Sequence, residues 1–148
     1  MKPEVIAVLP ESELWQKLEE YARECSWIAG PHLAQMLREK RFKGWETPFA
    51  AVQNGEIIGY CTVMETDYYP ENRYLPWISS IFVGEEQRGK GVGGMLIRAA
   101  EQYLARKGFR EAYIPSDMEG FYERYGYEKI DRHVNYGGDT DNVFMRKI

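Results

Sequence analysis

The 148-residue sequence is poor in the residues that most directly announce chemistry, with two cysteines and two histidines. Cys25 and Cys61 stand far apart with no Cys-x-x-Cys spacing, which excludes a zinc knuckle and a disulfide scaffold. His32 and His133 have no neighbouring ligand cluster, so no metal site is expected. Long apolar runs are missing too. Val5 to Leu9 is too short for a membrane span or a signal-peptide core, and a cytoplasmic protein with no membrane partner is expected. Cations are not in excess: 19 Lys and Arg against 23 Asp and Glu give a formal charge of −4, which disfavours nucleic acid as a partner. The length suits one domain over residues 1–148.

What the chain has instead is aromatic side chains, 14% of the residues, with 11 tyrosines among them. The apolar period divides the sequence into elements. Val5 to Leu9 reads as a strand, and Leu14, Leu18, Tyr21, Ala22 and Cys25 fall at helical spacing after Ser12. Gly30-Pro31 interrupts, and Leu33, Met36 and Leu37 mark a second helix. Asn54-Gly55 between two apolar runs predicts a hairpin, because a type I′ turn needs positive φ at both central residues. Trp77 to Val83 reads as a fourth strand, and Val92 to Leu104 as the clearest helix, ended by Gly108. Glu111 to Ile114 is then a strand parallel to the fourth, Glu119 to Tyr125 a short helix, and two further strands pair around Gly137-Gly138. This order fits an α/β (α+β) fold, a mixed and mostly antiparallel sheet of about seven strands flanked by about four helices.

Between the fourth strand and the clearest helix lies Arg88-Gly89-Lys90-Gly91-Val92-Gly93-Gly94. The first amides of a helix lack intrahelical acceptors and sit in the positive end of its dipole, so a glycine-rich entry is suited to an anion such as a pyrophosphate. Gly89-x-Gly91-x-x-Gly94 formally matches a dinucleotide fingerprint, but it does not directly follow a strand and most neighbouring strands pair antiparallel. Met95 stands where a Walker A loop would have to continue.

Two motifs together resemble the GNAT-type N-acetyltransferases over essentially the whole chain. One is Ile81-Phe82-Val83 followed by Arg88-x-x-Gly91-x-Gly93; the other is Gly120-Phe121-Tyr122-Glu123-Arg124-Tyr125-Gly126-Tyr127. The resemblance implies a sheet splayed between strands 4 and 5 with acetyl-CoA in the gap. Its pantetheine arm would meet the main chain at Ile81 and Val83, its acetyl carbonyl would lie near Phe82 or Val83, and its pyrophosphate would rest on amides from Gly89 through Lys90, Gly91, Val92 and Gly93 to Gly94, with Arg88 and Lys90 assisting. Tyr122 would serve the leaving sulfur. The sequence departs from the family where Glu85 replaces a frequent proline and Pro115 a frequent asparagine. Proline has no amide proton, which leaves Ser116 as a substitute donor.

The implied reaction transfers an acetyl group to a primary amine by direct attack in a ternary complex. An alkyl amine with pKa near 10.4 is about 99.9% protonated at pH 7, so a base or water relay is required. Ser79 and Ser80 on the fourth strand, ending at Glu65 or Asp67, offer one; His133 is a second candidate base. The acceptor is expected on the opposite side of the splay, near Trp27, His32, Glu65, Asp67, Tyr68, Tyr69, Glu71, Tyr74 and Trp77, where carboxylates and rings suit a cationic amine. The same residues suit packing of a long loop or a homodimer interface. Two other functions remain open at this point, a non-catalytic acyl-CoA-binding sensor and a nucleotide-binding protein.

Overall fold

The computed structural model describes residues 2–67 and 73–148. Its elements are β1 (Glu4–Ala7), α1 (Glu13–Glu24), α2 (Gly30–Arg38), β2 (Thr47–Gln53), β3 (Glu56–Met64), β4 (Trp77–Val83), α3 (Val92–Arg106), β5 (Glu111–Ser116), β6 (Glu128–Val134) and β7 (Thr140–Lys147). Seven strands form one sheet in the order β1-β2-β3-β4-β5-β7-β6, antiparallel everywhere except between β4 and β5. The hairpin at Asn54-Gly55 forms as expected, with φ of 54° and 78°.

The described residues hold three α-helices rather than four. The helix expected over Glu119–Tyr125 is instead a 3-10 turn, Tyr122–Tyr125, because Gly120 and Gly126 take φ of 86° and 91° on either side and leave no room for a second turn.

Alternation along each strand sorts the core onto two faces. Phe49, Cys61, Ile114 and Phe144 meet Leu96, Ile97, Ala100 and Leu104 of α3 on one face. Ala50, Tyr60 and Phe82 meet Leu18 of α1 and Leu33 and Leu37 of α2 on the other. Each fully buried Leu or Ile contributes roughly 1.5–3 kcal/mol, so both layers draw on the same apolar pattern that marks the helices in the sequence. Trp15 Nε1 donates to the Leu37 carbonyl at 2.9 Å and locks α1 to α2, which together cover the sheet beside β4.

Candidate active site

The site begins where the sheet fails to close. β4 and β5 pair only at Trp77 and Tyr113, with one further bond from the Tyr113 amide to the Pro76 carbonyl at 3.0 Å. Beyond that rung the strands part. Within β4, Ser80 takes φ of 53°, and Ser80 and Ile81 together oppose Cys61 of β3, a β-bulge that redirects the strand. Past the bulge, the Gly84 amide bonds to the Ile58 carbonyl of β3 at 2.8 Å. Alternation therefore turns the backbone polar groups of Val83 and Ile81 away from β3 and toward the gap. Arg88 Nε donates to the Val83 carbonyl there at 2.9 Å.

The glycines after β4 serve two ends. Gly89 and Gly91 have φ of 77° and 83° with open space where a side chain would be, so conformation alone demands glycine. Gly93 and Gly94 are close-packed: a Cβ would stand 3.2 Å from the Phe121 ring and 2.5 Å from the Tyr125 ring. The absent side chains thus let α3 lie directly on the turn that carries Tyr122. Gly91 is the N-cap and has no side-chain cap, while the first intrahelical bond runs from the Met95 amide to the Gly91 carbonyl at 3.1 Å. The amides of Val92, Gly93 and Gly94 precede it and fit an anionic group; Lys90 and Arg88 are exposed beside them. Val92 itself is buried, so only its main chain is on offer.

Beside the gap lies a cavity of about 790 Å³, lined by Trp27 and His32 from the α1–α2 side, Ser79 and Ser80 from the bulge, and Ser116 and Tyr122 from the far side. Three carboxylates, Asp67, Asp117 and Asp141, also line it, whereas no Lys or Arg does among the described residues. Ser79, nearly buried, donates its hydroxyl to Asp67 in a hydrogen bond. Tyr122 is buried against Phe121 and Phe144, and that burial raises its hydroxyl above the ordinary 10.0, against a Ser116 hydrogen bond that lowers it. The Ser116 hydroxyl in turn accepts from the Met118 amide at 3.0 Å.

Trp27, Ile81 and Tyr122 come together at the cavity; other candidate positions do not. Trp77 is 0% exposed and is enclosed with Tyr74, Tyr113 and Val143, because it occupies the one closed rung between β4 and β5. Glu65 is exposed and does not line the cavity; its amide bonds to Glu46 at 3.0 Å, and Asp67, two residues on, lines the cavity instead. The Phe82 ring stacks on Trp27 and Tyr60 within the α1–α2 core, leaving only its backbone near the gap. Tyr74 packs on Tyr113 and His133 and donates to Asp131 at 2.7 Å, so neither Tyr74 nor His133 belongs to the cavity. Tyr68, Tyr69 and Glu71 lie outside the described residues. Asp117 and Asp141 are cavity residues that sequence reasoning missed, since each sits at a strand end with no motif around it. Among the described residues no group of three His, Cys, Asp or Glu is placed to hold a metal ion, and no helix is long and apolar enough to cross a membrane.

Residues 15–127 match the Acetyltransferase (GNAT) family. An uncharacterized N-acetyltransferase of Chlorobaculum tepidum is 34% identical over 84 residues, 57% of this chain and 51% of that protein, so the match spans about half the relative's length. An uncharacterized N-acetyltransferase of Bacillus subtilis is 26% identical over 129 residues, 83% of this chain and 85% of its own. The fold matches the aminoglycoside 6'-N-acetyltransferase from Enterococcus faecium with TM-score 0.74 at 16% identity, covering 97% of this chain and 96% of that one. It also matches the PaiA N-acetyltransferase from Thermoplasma acidophilum in complex with coenzyme A, with TM-score 0.70 at 17% identity over 100% of both chains. The splayed sheet, the glycine cradle and the family match over most of the sequence agree, and the chain belongs to the GNAT acetyltransferase family.

Proposed function

We propose that the protein is an acetyl-CoA-dependent N-acetyltransferase whose acceptor is a cationic primary amine, on a small molecule or a peptide, attacking directly in a ternary complex. The observation that carries this reading is the cavity that joins Tyr122 to the Ser79–Asp67 pair across the β4 bulge. The positive φ of Gly89 and Gly91 and the first-turn amides without intrahelical acceptors support a pyrophosphate in the cradle. The bound co-substrate supplies an acyl group activated as a thioester.

The chain's own residues do the rest. Asp67, Asp117 and Asp141 draw in the amine, and Trp27 and Tyr136 give it faces to rest on. The nucleophile is the neutral amine, so the bound ammonium first gives up one proton to solvent. A carboxylate near pKa 3.9 is too weak a base for that step, but it takes the second proton readily once the neutral nitrogen has begun to bond to carbon and has turned acidic. Ser79, already donating to Asp67, is placed to pass that proton on. The Val83 amide faces the gap and stabilises the carbonyl oxygen as it gains charge. The N–C bond forms, the C–S bond breaks, and Tyr122 donates its proton in a hydrogen bond to the departing sulfur. Because burial raises the Tyr122 hydroxyl, full transfer to a thiolate near 8.5 is uphill, so donation without transfer is its role. Ser116 beside the phenol opposes part of that rise.

The test is thermal stabilisation by acetyl-CoA followed by release of free thiol across a panel of amines. Stabilisation with amine-dependent thiol release is expected. Stabilisation without release from any amine would favour an acyl-CoA sensor, and stabilisation by ATP or NAD in place of acetyl-CoA would overturn the reading altogether.

A further inference from the structure

Glu101 is a carboxylate in the middle of α3, 5% exposed, on the side of the helix away from the cavity. It is fully engaged. Oε1 accepts from Arg98 at 2.8 Å and from Arg146 of β7 at 3.0 Å; Oε2 accepts from Arg98 at 3.1 Å and from the Tyr127 hydroxyl at 2.7 Å. Arg98 then donates through its other terminal nitrogen to the Tyr125 carbonyl at 3.1 Å. Tyr127 follows the turn, and its amide bonds to the Tyr122 carbonyl at 3.2 Å. Gly126 lies between them because a Cβ there would come within 2.8 Å of Arg146 Nε.

These contacts tie the turn carrying Tyr122 to the helix whose first residues form the anion cradle. Burying an ionised carboxylate costs desolvation that an apolar side chain of similar size would avoid, so such a network is weak evidence for stability. What it fixes is geometry, since every acceptor and donor has a directed partner. We infer that Tyr127 and Glu101, with Arg98 and Arg146, are positioning residues that hold the Tyr122 hydroxyl in register with the cradle. None of the four lines the cavity, and in this assignment they act through Tyr122. This rests on the proposed role of Tyr122 in acetyl transfer.

Tyr127→Phe removes one hydroxyl and keeps the ring. Two measurements test the clamp. In protein labelled with 3-fluorotyrosine, the resonance lost in Tyr122→Phe identifies Tyr122, and it should shift or broaden in Tyr127→Phe. In the kinetic arm, thiol release with an amine from the panel should show kcat about tenfold lower in Tyr127→Phe, with the acetyl-CoA KM within twofold of the parent. In a Tyr122→Phe background the same change should alter kcat less than twofold. An equal loss in both backgrounds, or a rise in KM at constant kcat, overturns the clamp, as does an unmoved Tyr122 resonance. Glu101→Gln keeps an oxygen for Tyr127 and should retain more of kcat than Glu101→Ala; equal losses would also overturn it. Absence of thiol release from the parent protein overturns the proposed reaction instead, and the fluorine measurement still decides the clamp.

Discussion

Gly94→Ala should destabilise the protein even though alanine is the better helix former. A Cβ at Gly94 would stand 2.5 Å from one edge carbon of the Tyr125 ring and 2.8 Å from its Cζ and hydroxyl oxygen. Comfortable carbon contacts begin near 3.5 Å, so the ring would have to retreat by about 1 Å. It has little freedom to do so: Phe121 packs on it at 5.5 Å, the Arg98 guanidinium covers it at 5.6 Å, and Arg98 also holds the Tyr125 carbonyl. Overpacking of this kind costs roughly 1–3 kcal/mol, against a helix-propensity gain of about 1 kcal/mol. A net loss of about 1 kcal/mol would lower Tm by roughly 2–4 °C for a chain of this size, measured by thermal denaturation followed by circular dichroism. The sign should reverse when the ring is gone. In a Tyr125→Leu background, Gly94→Ala should raise Tm, because only the propensity gain is left. The same direction in both backgrounds would refute the steric account of this glycine.

Tyr122→Phe should lower kcat about 10- to 150-fold, the worth of one hydrogen bond to a charged group, with the acetyl-CoA KM unchanged in steady-state kinetics. Asp67→Asn should lower kcat about 100-fold, as loss of a proton acceptor commonly does, while acetyl-CoA still stabilises the protein to the same Tm. Alkaline pH should unfold the chain in a defined window. Burial first, then the hydrogen bond to Glu111, pushes Tyr113 up to about 12, and burial raises Tyr60 and Tyr127 as well. Below pH 10 folded and unfolded forms both keep these protons and stability is unaffected; between pH 10 and 12 only the unfolded chain releases them, so stability falls. Tyrosinate absorbance at 295 nm should therefore rise cooperatively with unfolding for these residues, and independent titration in the native state would contradict it.

Elements whose signals are local were legible in the sequence. Asn54-Gly55 specifies its own turn, and α3 follows from apolar residues at spacings of three and four. The splay was accessible only through two motifs taken together, whereas the glycine-rich entry to α3 could be read as an anion-fitting helix start from its position alone. Features set by partners distant along the chain were not legible. The Ser80 bulge is imposed on a residue that ordinarily avoids positive φ, by pairing with β3. The Glu101 network joins groups 26 and 45 residues apart, and no periodicity relates them. Trp77 illustrates the opposite error: an aromatic next to a polar loop reads as an accessible ring, yet the single closed rung with β5 encloses it.

That single rung also governs how the molecule holds together. On one side of it stand β1 to β4, on the other the three strands β5-β7-β6, and hydrogen bonding within each part is continuous while between them it almost stops. A ligand bonded to the exposed edge of β4 therefore acts as a missing length of strand. Amide exchange should proceed in two separate cooperative units in the free protein; if acetyl-CoA binds in the seam as proposed, exchange should slow in both units at once, and slowing in one unit alone would place the co-substrate elsewhere.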